Sequence, residues 1–242
     1  MKRLFYNILF LLWASFSIVW ADPDPEEKIP PAKNVQHAVW EQMEFKDFKL
    51  EGVMKTAKNT YPIVLKTKHR EMIFEFQDRD LQIRVELIPT GSIVHKRKKF
   101  GEPWMKLSGK QKTETILDSD IAYEDLGVDF LRWENVKPLG ADSIKTLDAW
   151  AYQARPSGVS RYAKADYWIS SDYLAVLRVD AYNSKDQVVK RVEVNGVQKV
   201  PNTNLYVIKE MMIASIIPGR DLSKSKTFIE IYEAKPGSGI PD

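Results

Sequence analysis

Five carboxylates crowd into twelve residues of this chain, Asp118, Asp120, Glu124, Asp125 and Asp129 in the run DSDIAYEDLGVD. Acidic side chains so placed can do two kinds of chemistry. Two of them can divide the work of general acid and nucleophile or base, as in glycoside hydrolysis, or several can bind a hard cation through their oxygens. The cation reading lacks the glycine and the closing glutamate of an EF-hand loop. A structural reading competes with both. Asp118 or Ser119 caps a helix running through Ile121, Leu126, Phe130 and Leu131 to Trp133, and Asp120, Glu124 and Asp125 lie in its early turns against the positive end of the helix dipole. That reading turns the polar residues outward and Ile121, Leu126, Phe130 and Trp133 inward. The spacing favours it over chemistry.

Little other machinery is visible. His37, His69 and His95 are far apart and outside any HExxH pattern, no serine stands in G-x-S-x-G, and there is no Walker or dinucleotide loop. The chain has no cysteine, so it has no disulfide, no thiolate metal site and no cysteine nucleophile. The expectation is a protein that is not an enzyme and holds neither metal nor cofactor. A cell-envelope hydrolase using the carboxylates from Asp118 to Asp129 stands as the enzymatic alternative. The main charge cluster is His95-Lys96-Arg97-Lys98-Lys99, with Lys106, Lys110 and Lys112 near it. Lys96, Arg97, Lys98 and Lys99 can face anionic lipid headgroups or an acidic partner, where each basic residue is worth about 1 kcal/mol. A solvated hairpin whose charge discourages edge pairing is the reading their pattern favours.

The elements that must position these residues begin after a leader. Lys2 and Arg3 precede an apolar run from Leu4 to Trp20, and Val19-Trp20-Ala21 offers small residues where a signal peptidase reads, so cleavage after Ala21 is expected. The run is short for a membrane span and ends at Asp22-Pro23-Asp24-Pro25-Glu26-Glu27, so residues 22–30 read as a disordered mature N-terminus. Without a cysteine at the cleavage point the chain is not itself lipid-anchored, and the periplasm is the expected compartment. The formal charge of +3 includes Lys2 and Arg3 and leaves the mature chain too balanced to argue for nucleic acid. A hydrophobic content of 44% and the lack of a Pro/Gly/Ser-rich linker fit one domain over residues 31–235, followed by a flexible tail at 236–242.

Within that domain Val35, Ala38, Val39 and Met43 recur at helical spacing and predict a helix from Pro31 to Met43 with one apolar stripe. Period-two alternation follows. Phe48, Leu50 and Met54, then Met72, Phe74 and Phe76, then Leu81, Ile83, Val85 and Leu87 mark half-buried strands separated by hairpin turns at Asn59-Thr60, Lys68-His69-Arg70, Asp78-Arg79-Asp80 and Pro89-Thr90-Gly91. The second half repeats the pattern at 150–155, 165–170, 174–182, 187–195, 205–215 and 227–234. In the stretch from Leu205 to Ile217 both pleat faces are apolar, which fits a cavity on one side and a packed helix on the other, or a plain central strand. The fold class is mainly β (α+β), an antiparallel half-barrel of about eleven strands covered by helices that close its open face.

DSDIAYEDLGVDFLRW, then YWISSDYLAVLRVDAYNSKDQVVKRVEVNGVQKV, then Ile208-Lys209-Glu210-Met211 and KTFIEIYEA resemble the outer-membrane lipoprotein-sorting proteins of the LolA-like superfamily. The resemblance covers residues 115–234, and Asp120, Tyr123, Glu124, Asp125 and Leu126 carry its marker segment. Asp186-Gln187 replaces the usual turn glycine, and the N-terminal half matches only in strand rhythm. The resemblance implies an eleven-stranded half-barrel with a helical lid over a hydrophobic cavity, and ligand carriage instead of catalysis. It implies a monomeric carrier that takes lipoprotein or lipid acyl chains from an inner-membrane donor to an outer-membrane acceptor. A sensor domain of the same shape, signalling mislocalised lipoproteins to a protein partner, is the alternative. Adaptable thioethers and aromatics suit such a cavity. Met54, Met72, Phe74, Phe76, Phe130, Trp133, Trp168, Met211 and Met212 are the candidates for its lining, and each would also serve an ordinary core.

Overall fold

The computed structural model describes residues 29–42 and 45–240. The expected leader, its cleavage after Ala21, residues 22–28, Met43 and the last two residues of the expected tail lie outside these. The described residues form a helix and one antiparallel sheet. Helix α1 (Ala32–Gln42) comes first, followed by β1 (Phe45–Lys55), β2 (Thr60–His69), β3 (Glu71–Phe76), β4 (Leu81–Ile88), β5 (Gly91–Arg97) and β6 (Met105–Lys106). A long irregular stretch leads to β7 (Asn135–Ile144), β8 (Leu147–Arg155), β9 (Lys164–Ser170), β10 (Val176–Tyr182), β11 (Val188–Lys199), β12 (Tyr206–Ile216) and β13 (Ser223–Pro236). The sheet order is β6-β5-β4-β3-β2-β1-β13-β12-β11-β10-β9-β8-β7, so two meanders meet where β1 pairs with β13, and β6 and β7 are left as open edges.

Thirteen strands replace the expected eleven, and the two additions are these edges. β6 is two residues long, too short for any alternation. β7 carries Pro138 and Gly140 with a break in register between them, and almost all its side chains are exposed. An edge strand that packs little more than Val136 on the core needs no hydrophobic period, and proline is tolerated there.

The sheet curls. The turn at Asp129–Arg132 touches both β5 and β8, which stand ten places apart in the strand order. In a flat sheet at about 4.8 Å per strand they would be roughly 48 Å apart. Bulges supply part of the bend. At the one between Glu51 and Gly52, a Cβ on Gly52 would collide with the Glu230 carbonyl oxygen of β13.

The concave side holds two apolar clusters. One gathers Met54, Ile63, Phe74, Phe76, Ile83 and Val94 with Ile213, Ile229 and Ile231. The other gathers Tyr152, Tyr167, Ile169 and Val179 beneath Val35 and Val39 of α1, and Val192 packs against both. The helix lies on one end of the concave face. Residues 29–30 dock there too, since Tyr152 donates its hydroxyl hydrogen to the Pro30 carbonyl at 2.9 Å. The described part of the expected flexible tail is pinned in turn: Ser238 is buried, its N–H donates to Asp47 at 2.5 Å, and the Ile240 carbonyl accepts from Lys68 at 2.9 Å.

Candidate functional site

The rest of the concave face is covered by residues 107–133, and this plug is not the expected helix. It consists of a 3-10 turn at Gly109–Thr113, a small loop closed by a bridge between Thr115 and Ala122, and two more 3-10 turns at Tyr123–Gly127 and Asp129–Arg132. Between the last two, Val128 adopts a left-handed conformation with φ 45° and ψ 40°, which a helix cannot continue through and which is strained for a β-branched residue. Neither Asp118 nor Ser119 caps a helix. Ser119 donates to the Ile116 carbonyl at 2.6 Å and accepts from the Ile121 N–H at 3.1 Å, which closes a turn.

The carboxylates latch this plug to the sheet. Asp118 accepts from the Tyr61 hydroxyl at 2.6 Å, from Asn59 at 2.9 Å and from Thr56 at 3.0 Å, in and beside the β1–β2 turn. Hydrogen bonding, led by Tyr61, holds its carboxyl below the usual carboxylate range. Asp120 is buried instead of outward-facing and receives hydrogen bonds from Ser215 of β12 and from Ser225 and Thr227 of β13. Asp125 accepts from the Tyr162 hydroxyl at 2.8 Å and from its own segment's Ala122 N–H at 2.6 Å, and it pairs with Lys190 of β11. Glu124 accepts from Ser160 at 3.0 Å, and burial, with Asp125 adding to it, pushes its carboxyl above the usual range. Asp129 accepts from Ser92 of β5 at 3.1 Å and from Arg132 at 2.7 Å. Five acids therefore bind five separate places. Among the described residues no three His, Asp or Glu side chains come together as a metal site would require.

Beneath the plug, Ile116, Ile121 and Leu126 close over Met54, Ile63, Phe74, Phe76, Ile83 and Ile229. The void left between them is about 10 Å³, at the limit for one water molecule. Of the expected lining residues, Met54, Phe74 and Phe76 border this void, and Met72 and Met211 lie in the same cluster. Phe130 and Trp133 pack on the second cluster, where the Phe130 ring centroid is 5.3 Å from that of Tyr167. Two candidates are on the other side of the sheet. Trp168 alternates with the inward Tyr167 and Ile169, and its indole N–H donates to Asp142 at 2.8 Å under the Arg178 guanidinium. Met212 lies between the inward Met211 and Ile213, in register with Glu193 and Phe228. Among the described residues the one α-helix, α1, contacts β7 and the plug and packs on the second cluster, so the helix expected against β12 is not found there.

The basic cluster divides as well. Lys96 points its ammonium at the Tyr123 ring of the plug, 5.2 Å from the centroid, and Lys112 donates to the Ser92 carbonyl at 3.2 Å. Lys98 and Lys99 are exposed beyond the end of β5.

Sequence reasoning missed the partners of the carboxylates, above all Lys190, Ser215 and Thr227. The strands carry a signal: Lys190 and Ser215 are polar residues at inward positions next to the inward Val192 and Ile213, and Thr227 stands next to the inward Ile229.

A family model described as an uncharacterized protein matches residues 102–242, more than half of the chain. The crystal structure of a DUF1329 family protein from Desulfovibrio piger superposes with a TM-score of 0.69 at 16% identity, over 88% of this chain and 95% of the other. An outer membrane lipoprotein-sorting protein domain, so described as putative, from Vibrio parahaemolyticus gives 0.62 at 13% identity, over 87% and 94%. A LolA superfamily protein from Nitrosomonas europaea gives 0.61 at 13% identity, over 87% and 95%. The chain belongs to the matched family, and its fold is LolA-like. No curated protein matches its sequence. As a LolA-like fold it places the plug, and with it the marker residues Asp120 to Leu126, over the inner face of an open sheet. The turn that lacks the superfamily's glycine is explained by Asp186, which takes the positive φ of 61° itself, as aspartate tolerates, and pairs with Lys164.

Proposed function

We propose that this chain is an exported, non-enzymatic carrier that holds lipid acyl chains, free or on a lipoprotein, against its concave face and hands them from an inner-membrane donor to an outer-membrane acceptor. One observation carries the reading: the inner apolar face of the sheet is covered by an irregular plug without regular secondary structure longer than one 3-10 turn, held by polar latches. A second sheet or a long packed helix would have made a permanent core. A void of about 10 Å³ admits no acyl chain, so binding requires the plug to move.

Two opposing magnitudes govern that exchange. Burying an acyl chain of about fifteen methylenes contributes roughly 12 kcal/mol. Exposing Ile116, Ile121 and Leu126 costs about 1.5–3 kcal/mol each. The latches on Asp118 and Asp120 add about 1.5–3 kcal/mol for each hydrogen bond to a charged carboxylate. The latches, more than the three aliphatic side chains, therefore set the cost that an acyl chain must offset. The LolA-like fold supports the reading, since one similar structure is of a protein described as lipoprotein-sorting.

The test is to secrete the chain in a bacterial host, purify it without detergent and analyse co-purifying molecules by mass spectrometry. Acyl-bearing lipid or acylated protein is expected at a substantial fraction of the protein concentration. A chain that emerges free of acyl groups and fails to bind a fluorescent fatty acid would end the carrier reading.

A further inference from the structure

The β5–β6 hairpin has features that the carriage of acyl chains does not use. Residues 96–112 contain seven Lys or Arg and one Glu, a formal charge of +6 in a chain whose total is +3, so the remainder is net negative. Lys96 and Lys112 face the plug and β5, but Lys98, Lys99, Lys106 and Lys110 are exposed. Among the described residues only Lys99 of these four has an acidic partner, Asp80 at 3.8 Å, with both side chains more than 60% exposed. Such a pair holds little.

Apolar groups stand among these charges. Phe100, at the loop tip, is 84% exposed, and Met105 is 47% exposed. Arg97 lies between two rings, 5.0 Å from the Phe100 centroid and 4.2 Å from that of Trp104, and its Nε–H donates to Gln82 at 2.6 Å. The guanidinium is thus tied to the sheet and steadies both rings at the edge of the molecule. A phenyl group 84% exposed at a loop tip, with Arg97 against its ring, contributes little to the core. Cations set behind exposed aromatic and thioether side chains make the arrangement that binds a bilayer surface, apolar groups entering the headgroup boundary while the cations meet phosphates.

We propose that the β5–β6 hairpin docks the protein on an anionic lipid surface through Phe100 and Met105, with Lys98, Lys99, Lys106 and Lys110 against the headgroups. Exposed apolar side chains together with exposed lysines favour a bilayer, which takes up both, over an acidic protein, which would need a pocket to receive Phe100. From Met105 the chain runs directly through the buried Leu107 into the plug, so docking brings the plug to the membrane. The proposal concerns where the protein sits and is independent of what it holds.

The experiment is co-sedimentation of the purified chain with vesicles of phosphatidylglycerol and phosphatidylethanolamine, compared with phosphatidylcholine alone. Anionic vesicles should bind at least tenfold more tightly. Each exposed lysine contributes about fivefold, so K98Q/K99Q should weaken binding about twenty-five-fold, a loss that disappears at high salt. F100S should weaken it about tenfold at any salt concentration. None of these exposed positions should alter thermal unfolding or fatty-acid binding. Equal binding to neutral and anionic vesicles, or an F100S variant that binds like the parent, would overturn the proposal. So would failure to bind anionic vesicles, and cross-linking of residue 100 to an acidic protein would then name the other occupant.

Discussion

Lys190 of β11 and Asp125 of the plug form an ion pair across 65 residues of sequence, with side chains only 6% and 13% exposed. Among the described residues it is the most buried ion pair between the plug's carboxylates and the sheet. A charge so enclosed is tolerable only while its partner is present. Lys190→Met should therefore destabilise the fold by about 3–5 kcal/mol, because it strands Asp125 beside the Tyr162 hydroxyl. The double variant Lys190→Met/Asp125→Leu should recover part of that loss, since no charge is left behind while the Tyr162 hydroxyl and the Ala122 N–H lose their acceptor. Denaturant unfolding of the two variants and the parent measures both effects.

Two acids of the same plug should respond to pH with opposite signs. The carboxyl of Glu124 is pushed up by burial and by Asp125, so its contribution to stability is complete below the unfolded value of 4.5 and is lost as pH rises through its higher folded value. Glu124→Gln should then stabilise the protein at neutral pH and change little below about pH 4. Asp118 is held down by the Tyr61 hydroxyl, so its contribution is present above 3.8 and is lost as pH falls through its lower folded value. Asp118→Asn should weaken the fold at neutral pH and lose its effect in acid. Thermal melts of both variants from pH 3 to 8 should show the two curves crossing the parent's stability difference in opposite directions.

Gly127 is a packing requirement. Its φ is ordinary, but a Cβ there would collide with the side chain of Ser92 and crowd Asp129. Gly127→Ala should destabilise by about 1–3 kcal/mol through overpacking. Combining it with Ser92→Gly should return part of that loss, whereas Ser92→Gly alone should cost a little through the lost bond to Asp129. Calorimetric melting of the three variants checks the sign of the coupling.

Much of the sheet was legible because its inner strands obey a two-residue period that burial imposes: Met72, Phe74 and Phe76 face inward, and so do Ile83, Val85 and Leu87. Helix α1 was legible from Val35 and Val39 for the same reason. The plug was not. Its acidic residues and spaced apolar ones satisfy the local rules for a capped helix, and what overrules them is distant. Asp120 turns inward because Ser215, Ser225 and Thr227, about a hundred residues away, offer it three hydroxyls. Val128 takes a left-handed conformation that no local preference would choose. The face assigned to Trp168 failed differently. Its neighbours Tyr167 and Ile169 are also large and apolar, so composition alone could not fix which parity points inward.

That parity has a consequence for ligand binding. If acyl chains lie against the concave face, a fatty acid brominated along its chain should quench Trp133, which packs on the inner second cluster, and should not quench Trp168 on the convex side. Trp133→Phe should remove part of the quenchable emission of the protein. Trp168→Phe should lower total emission and leave the quenched part unchanged, because its indole is separated from the inner face by the sheet itself. Each variant keeps an aromatic ring in place, so the fold should survive, and the unquenched spectra verify that. Equal quenching of Trp168 and Trp133 would move the ligand off the concave face, and with it the role of the plug as the element that must give way.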